Sequence, residues 1–461
     1  MPRNHYTSDE LKKMDLQYLW HNFVHIRDYV KEMIVLDHAE GCYFWDVDGK
    51  KYLDAVSGVE VMNLGYNNAE ILRAIQAQME RLNFSYISYA GNEATILAAK
   101  KLIEISPENM KKVFFVNSGS EGADTAIKLA RQYHVLNGNK GKYKVIARWM
   151  SYHGSTIGAL SATGHTPRRE MFQPLLIDFP HIPPPYCYRC FFHLEYPECG
   201  LECAHALETT IKTEGAESIS AFMFEPIVGF AGGAIVPPRE YYDITREICQ
   251  KYDVLMIADE VLVGLCRTGK VFACEHWNLS PDMLFTAKGL AGGYAATGAV
   301  LTSDKIVDVF EDKNDKAFLS GCTFGGHPIA SAATIAFLDI IVRERIWEKA
   351  AQSGDYLFRN LKSLNRRIIG DIRGKGMLAS VELVKNRETK KIFGSDEDVG
   401  GQIAFEMLKK GIKVFGSKGF DTGMISDFIF LAPPLTMTTT QIDDLVSTLD
   451  ECIAETESKL G

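Results

Sequence analysis

No apolar run in this chain approaches the roughly 18 residues that a membrane span needs. The opening residues, Met1-Pro2-Arg3-Asn4-His5, carry no apolar signal region. Positive charge is not in excess either: 50 lysines and arginines stand against 59 acids, for a net charge of −9. A chain of that balance is not expected to seek nucleic acid or an anionic membrane surface. Internal repeats and low-complexity tracts are missing as well, so neither a solenoid nor a disordered tail is expected. What remains, 46% hydrophobic and 24% charged residues, is the composition of an ordinary soluble globular protein, with the cytoplasm as the expected compartment. The 461 residues suffice for two or three domains.

Cysteine is present but not arranged as a disulfide framework. Six of the ten are scattered: Cys42, Cys249, Cys266, Cys274, Cys322 and Cys452. The other four, Cys187, Cys190, Cys199 and Cys203, form two close pairs, a spacing that suits tetrahedral zinc. The loop between the pairs is shorter than in common zinc ribbons. Free thiols packing a loop, or a redox pair, are the competing readings, and the metal question stays open.

Short apolar runs alternate with amphipathic stretches through the middle of the chain, which predicts strands and helices in alternation and so a parallel sheet. Helices are expected over 69–82, 93–105, 123–136, 205–215 and 238–251, and strands over 113–116, 144–148, 221–224, 254–258 and 283–286. Residues 1–35 read as amphipathic and helical, and 41–54 as a hairpin turning at Asp48-Gly49. Beyond about residue 340 the pattern changes to helices and strands of a separate α+β segment.

Three strand exits carry chemistry. Glu225 follows Ala221–Phe224, Asp259 follows Val254–Ala258, and Lys288 follows Met283–Ala287. In a parallel sheet all three lie along the edge where ligands bind. An acid and a lysine there suit pyridoxal phosphate (PLP), which needs an amine partner and a carboxylate at its ring nitrogen. A carboxylate after a buried strand and a Lys-Gly turn are also common without any ligand. Asn117-Ser118-Gly119-Ser120-Glu121-Gly122 links a strand to a helix through small residues, leaving backbone N–H groups for an anion, or forming a plain capped loop. Tyr152, at another strand exit, stands where an aromatic ring could stack on a planar cofactor.

In this order the segments resemble the class III aminotransferases, PLP enzymes of fold type I. The likeness runs from Trp20 to about Leu445. It is carried by Asn117–Glu121, Tyr152-His153-Gly154, Glu225-Pro226, Asp259-Glu260-Val261 with Gly264–Gly269, Ala287-Lys288-Gly289, Thr323–Pro328 and Ala432-Pro433-Pro434-Leu435. The resemblance implies an α/β fold whose large PLP-binding domain, residues 66–335, holds a mostly parallel central sheet. A small α+β domain would come from both termini, residues 1–65 and 336–461. Lys288 would form the Schiff base and move the proton, in apolar surroundings beside like charge that lower its pKa. Asp259 would pair with the pyridine nitrogen, and Tyr152 and Val261 would sandwich the ring, with His153 ordering the loop. Ser118, Gly119 and Ser120, with Thr323 from a partner subunit, would hold the phosphate. Glu225 would lie near the reacting group. The reaction implied is ping-pong transamination from an amine donor to a keto acid, pyruvate or 2-oxoglutarate. A PLP lyase, such as a phospho-lyase or decarboxylase, shares the same fold and residues. Thr323 and Tyr89 completing a partner's site imply a homodimer or higher oligomer.

The chain departs from the family pattern at the substrate end. Phe23 and Tyr89 match pocket aromatics. Glu60 stands where a neutral wall residue is usual, and Phe230 where small residues are frequent. The arginine often found just before the Ala-Pro-Pro strand is missing from Ser426–Leu431, and the nearest upstream cation is Lys418. Gly122-Ala123-Asp124 replaces a usual Ala-Asn-Glu. These features favour a terminal amine donor of the taurine, β-alanine or diamine class, such as putrescine. The carboxylate of Glu60 would attract a distal ammonium unless it turns aside to pair locally.

Overall fold

The computed structural model describes residues 6–311, 316–394, 396–418 and 426–460. Fifteen strands occur among them. Three precede the large sheet: β1 (Leu36–Glu40), β2 (Tyr43–Asp46) and β3 (Lys51–Asp54). Seven follow: β4 (Met110–Val116), β5 (Lys144–Arg148), β6 (His181–Ile182), β7 (Ile219–Phe224), β8 (Leu255–Asp259), β9 (Met283–Thr286) and β10 (Gly298–Ser303). The last five are β11 (Ile369–Lys375), β12 (Leu378–Leu383), β13 (Ile412–Lys413), β14 (Phe415–Ser417) and β15 (Phe428–Leu431).

The central sheet has the order β4-β10-β9-β8-β7-β5-β6. Its pairs from β9 to β6 are parallel, and β10 runs antiparallel to both β4 and β9. Every residue of β7, β8, β9 and β10 is buried. Helices cover both faces, which is why these strands read as unbroken apolar runs rather than alternating ones. Because β7, β8 and β9 are parallel neighbours, the residues that follow them emerge along one edge. Glu225, Asp259 and Lys288 follow those three strands.

The helix Gly119–Leu136 starts four residues before its expected start, because Ser118 caps it and its first turn includes the glycines. Gly122 is small enough for close packing: a Cβ there would lie 3.2 Å from the Phe285 ring. The first 35 residues hold two helices rather than one, Ser8–Tyr18 and Ile26–Lys31. Between them Phe23 takes a left-handed φ of 60°, which breaks the helical path. The expected helix at residues 1–5 lies outside the described residues.

The two ends of the chain build a second body. In a four-stranded sheet of order β1-β2-β3-β13, β13 joins β3 in parallel through Ile412 opposite Leu53. A further antiparallel sheet, β11-β12-β15-β14, completes it. The hairpin at 41–54 is formed by β2 and β3, with Gly49 at φ 83° in the turn. Arg267, in the loop after β8, ties this body to the large sheet. Its fully buried guanidinium donates to the Met377 carbonyl at 3.1 Å, the Asn63 Oδ1 at 2.8 Å, the Ser57 Oγ at 3.3 Å and the Pro433 carbonyl. Losing it would strand several buried acceptors at once, each costing about 1–3 kcal/mol.

Candidate active site

Asp259 ends β8 with its carboxylate 4% exposed. One oxygen, Oδ1, accepts from the Val261 N–H at 3.0 Å, and Oδ2 lies 2.8 Å from His153 Nδ1. Burial pushes the Asp259 carboxyl up to about 8, against the Val261 N–H and the charge of Lys288, which favour ionisation. Burial also pushes His153 down to about 4. Burial thus holds both groups toward their neutral forms. A cationic ring nitrogen next to Asp259 would reverse that balance. The other imidazole nitrogen, His153 Nε2, is buried without a protein partner.

Lys288 begins a short turn, Lys288–Ala291, at a left-handed φ of 41°. Its Nζ lies 2.6 Å from Glu60 Oε2, with the lysine side chain 24% exposed and the glutamate 2%. The like charge expected around Lys288 is thus not what the structure shows: its close neighbour is a carboxylate. Nor does Glu60 turn away from the site; the cation it pairs with is Lys288 itself. The loop that carries Glu60 is bent sharply. Ser57, Gly58 and Glu60 all have positive φ, at 50°, 71° and 58°. Asp54 holds the bend, accepting from the N–H of Val56 at 3.0 Å, the N–H of Gly58 at 2.6 Å and the Tyr66 hydroxyl at 2.8 Å. Ser57 Oγ donates to the Ala432 carbonyl at 2.7 Å. Backbone held in this region costs on the order of 1–3 kcal/mol per residue and persists where surrounding contacts enforce it, typically at ligand sites.

The loop before the helix Gly119–Leu136 is ordered by side chains. Ser118 Oγ accepts from the Glu121 N–H at 3.2 Å, and Glu121 Oε2 accepts from the Asn117 N–H at 2.6 Å. Ser120 Oγ accepts from the Ser155 N–H at 3.0 Å, which joins this loop to the one that follows Tyr152. Two glycines let the loops close. A Cβ on Gly119 would lie 2.9 Å from a Val261 methyl, and one on Gly154, at φ 142°, 2.5 Å from Ser120 Oγ. The result is an 18-residue helix that begins at Gly119, close against Val261. Such a terminus suits a phosphate. The buried acid, the lysine and this cradle fit the parts of PLP.

Tyr152 is fixed through its backbone. Its N–H donates to Glu225 Oε1 at 3.0 Å, while the Gly229 N–H donates to Glu225 Oε2 at 2.8 Å. Arg148 donates to the Glu225 carbonyl. Burial raises the pKa of the Glu225 carboxyl, opposed by His153 nearby. The Arg168 guanidinium lies 4.3 Å from the Tyr152 ring centre and 4.6 Å from that of Phe23.

Other expected residues stand apart from this cluster within one chain. Thr323 is exposed. Tyr89 is 80% exposed and packs at 6.0 Å against Tyr86. Phe230 meets Phe415, Phe428 and Phe430 edge-on at 5.4–5.7 Å, so it joins an aromatic cluster with β14 and β15. Residues 419–425, shortly before β15, lie outside the described residues. The four clustered cysteines are free thiols near one another: burial first, then its three neighbours, push Cys203 up to about 12. Among the described residues no three His, Cys, Asp or Glu side chains are placed to hold a metal ion. Arg168 and Arg267 were not anticipated as site residues. The one available hint was a pair of cations, Arg168-Arg169, a few residues after the Tyr152 motif.

An acid and a lysine thus follow neighbouring parallel strands, beside a helix N-terminus that begins at Gly119. Comparison with known proteins narrows the class. The model of the family "Aminotransferase class-III" matches residues 25–453. The chain is 36% identical over 462 residues to a taurine–pyruvate aminotransferase of Bilophila wadsworthia, covering 99% of each chain. It is 36% identical over 425 residues to a putrescine–pyruvate aminotransferase of Pseudomonas aeruginosa, covering 92% of this chain and 91% of that one. A thermostable (S)-enantioselective omega-transaminase from Thermomicrobium roseum has the same fold, with a TM-score of 0.92 at 35% identity over 98% of this chain and 99% of that one. The chain belongs to the class-III aminotransferase family and is an enzyme that transfers amino groups.

Proposed function

We propose that this protein is a PLP-dependent omega-aminotransferase that takes the amino group of a terminal amine, of the diamine, taurine or β-alanine class, and gives it to a keto acid such as pyruvate or 2-oxoglutarate. The observation that carries the reading is the pairing of Lys288 with Glu60 beside the Asp259–His153 pair, next to the cradle at Gly119 and Ser120. When bound, PLP supplies an aldehyde for the amine and a protonated ring that withdraws electrons from the bond being broken. Asp259 keeps the ring nitrogen protonated. Amides at Gly119 and Ser120, with the hydroxyl of Ser118, hold the phosphate, and Thr323 joins them from a partner subunit. Tyr152 and Val261 would cover the ring, and His153 fixes Asp259. Lys288 Nζ takes the proton from the substrate carbon and returns it on the other side of the transfer. Glu225 anchors Tyr152.

Glu60 has two roles in this reading. It orients Lys288, and it offers a buried carboxylate to the far ammonium of a diamine. The two named relatives act on different donors, so family membership leaves the donor to the pocket residues. A donor–acceptor activity matrix tests both levels. Amine donor alone is expected to bleach the cofactor absorbance once per site, with sustained turnover only when a keto acid is added. Turnover that continues without any keto acid identifies a lyase instead. Glu60→Gln is expected to raise the KM for putrescine about tenfold while leaving taurine less affected. If the wild type gives no half-reaction with diamines but reacts with taurine or β-alanine, the role assigned to Glu60 is wrong.

The same reading includes a homodimer or larger homo-oligomer, a cytoplasmic setting and the domain limits 1–65, 66–335 and 336–461. Trp20 is 97% exposed and Phe23 71%, a large apolar surface for a lone subunit beside a pocket. Sedimentation of the active enzyme is expected to give a dimer or larger species; an active monomer contradicts it.

A further inference from the structure

Pyruvate and 2-oxoglutarate each carry a carboxylate beside the keto carbonyl, and a pocket that excludes water must pair that carboxylate with a cation. Residues 411–427 contain no arginine to do so. The cations around the site are mostly committed. Lys288 belongs to the chemistry. Arg267 is spent on Met377, Pro433, Ser57 and Asn63. Arg148 holds the Glu225 carbonyl, and Arg169 donates to the carbonyls of Ser161 and Thr163.

Arg168 differs. It sits in the short turn Thr166–Arg169, half-buried, with Tyr152 at 4.3 Å and Phe23 at 4.6 Å from its guanidinium carbon. Its guanidinium also hydrogen-bonds to the Tyr152 side chain, which takes up part of its N–H edge, and the N–H groups that remain are of the kind that grip a carboxylate. Glu60 and Glu225 act on it through space rather than by hydrogen bond, and burial lowers its pKa. A partly desolvated cation that anchors on aromatic rings gains most from an incoming anion.

We infer that Arg168 is the specificity residue for the acceptor, binding the carboxylate of the keto acid against the Tyr152 and Phe23 rings. The inference rests on the aminotransferase reading and deepens it. The pocket then carries both signs. Glu60 receives the distal ammonium of a diamine donor in one half-reaction, and Arg168 receives the carboxylate of the acceptor in the other. One site thereby serves two substrates of opposite charge, with neither arginine nor glutamate needing to leave when the other substrate binds.

The test uses the PLP-loaded enzyme as wild type, Arg168→Gln and Arg168→Lys, with pyruvate and with butanal, an acceptor that has a carbonyl but no carboxylate. Arg168→Gln is expected to raise the KM for pyruvate about 10- to 100-fold, the range for losing a charge-assisted bidentate contact, and that for butanal less than threefold. Arg168→Lys falls between, because it keeps the charge and loses the fork. Calorimetric titration with propionate, which cannot react, gives a second readout: heat of binding in the wild type, and none in Arg168→Gln. Parallel losses with pyruvate and butanal would show that Arg168 only supports Tyr152, and an unchanged pyruvate KM or propionate titration would equally overturn the inference. A wild type with no keto-acid dependence at all defeats the aminotransferase reading instead, so the two failures are distinct.

Discussion

Lys288→Ala is expected to slow transamination by about three to four orders of magnitude, the scale of losing a positioned acid–base group. Single-turnover reaction with a good donor, followed through the cofactor absorbance, measures it. Added methylamine is expected to recover part of the rate by standing in for the missing amine. One structural complication needs a control. Glu60 is 2% exposed and pairs with Lys288 at 2.6 Å, so the substitution leaves a buried carboxylate without its cation. That lone charge lowers stability on its own account. The double variant Lys288→Ala, Glu60→Gln removes the orphan. It is expected to regain melting temperature but not turnover, which separates catalysis from folding. A Lys288→Ala enzyme with wild-type turnover would sink the assignment.

Asp259→Asn carries the second large effect. Asparagine keeps the size and can still hydrogen-bond to Val261 and His153, but it offers no negative charge to a ring nitrogen. The expected loss is about a thousandfold in rate, comparable with removing one strong electrostatic contact to the developing charge. The cofactor-free protein adds a pH test with a definite sign. Burial raises Asp259 to about 8 in the folded chain, well above the 3.9 or so of an exposed aspartate. The folded state therefore keeps a proton that the unfolded state gives up. Its contribution is fully present below about pH 4 and is lost progressively as pH rises to about 8. His153, lowered to about 4, acts the opposite way, losing stability as pH falls below its ordinary 6.5 or so. Comparing melting temperatures of wild type and Asp259→Asn isolates the aspartate: the gap between the two curves is expected to shift steadily against the wild type from about pH 5 to about 8 and then to level off. A parallel pair of curves would show that Asp259 does not titrate in this window.

The parts of the site that were legible in sequence share one property: each is local. Asp259 and Lys288 stand directly after runs buried on both faces, and the cradle at Ser118–Ser120 is a single strand–helix turn. Glu60 and Arg168 have no such mark. Glu60 meets Lys288 across 228 positions of chain. It reaches it only because Asp54, Arg267 and the Ala432 carbonyl bend its loop. Such a meeting is a product of packing, and no spacing rule announces it. The same holds for β11. Its run Ile369-Gly370-Asp371-Ile372-Arg373-Gly374-Lys375 mixes charge and glycine, so it shows neither alternation nor an apolar block. It is a strand because β12 pairs with it and because Arg373 finds Glu382 and Asp371.

The pairing of β3 with β13 bears on how the protein is made. Residues 51–54 wait for residues 412–413 before their sheet can close. Synthesis at about 5–20 residues per second places those segments tens of seconds apart. Through that interval the bent loop that aims Glu60 lacks the Pro433, Met377 and Ala432 carbonyls that help to hold it. The large sheet has all of its strands once residue 303 has emerged, but the loop that carries Glu60 gains its full set of contacts only after residues 412–433 have followed. Completion of the contacts around Glu60 is in this sense set by the order in which the chain appears.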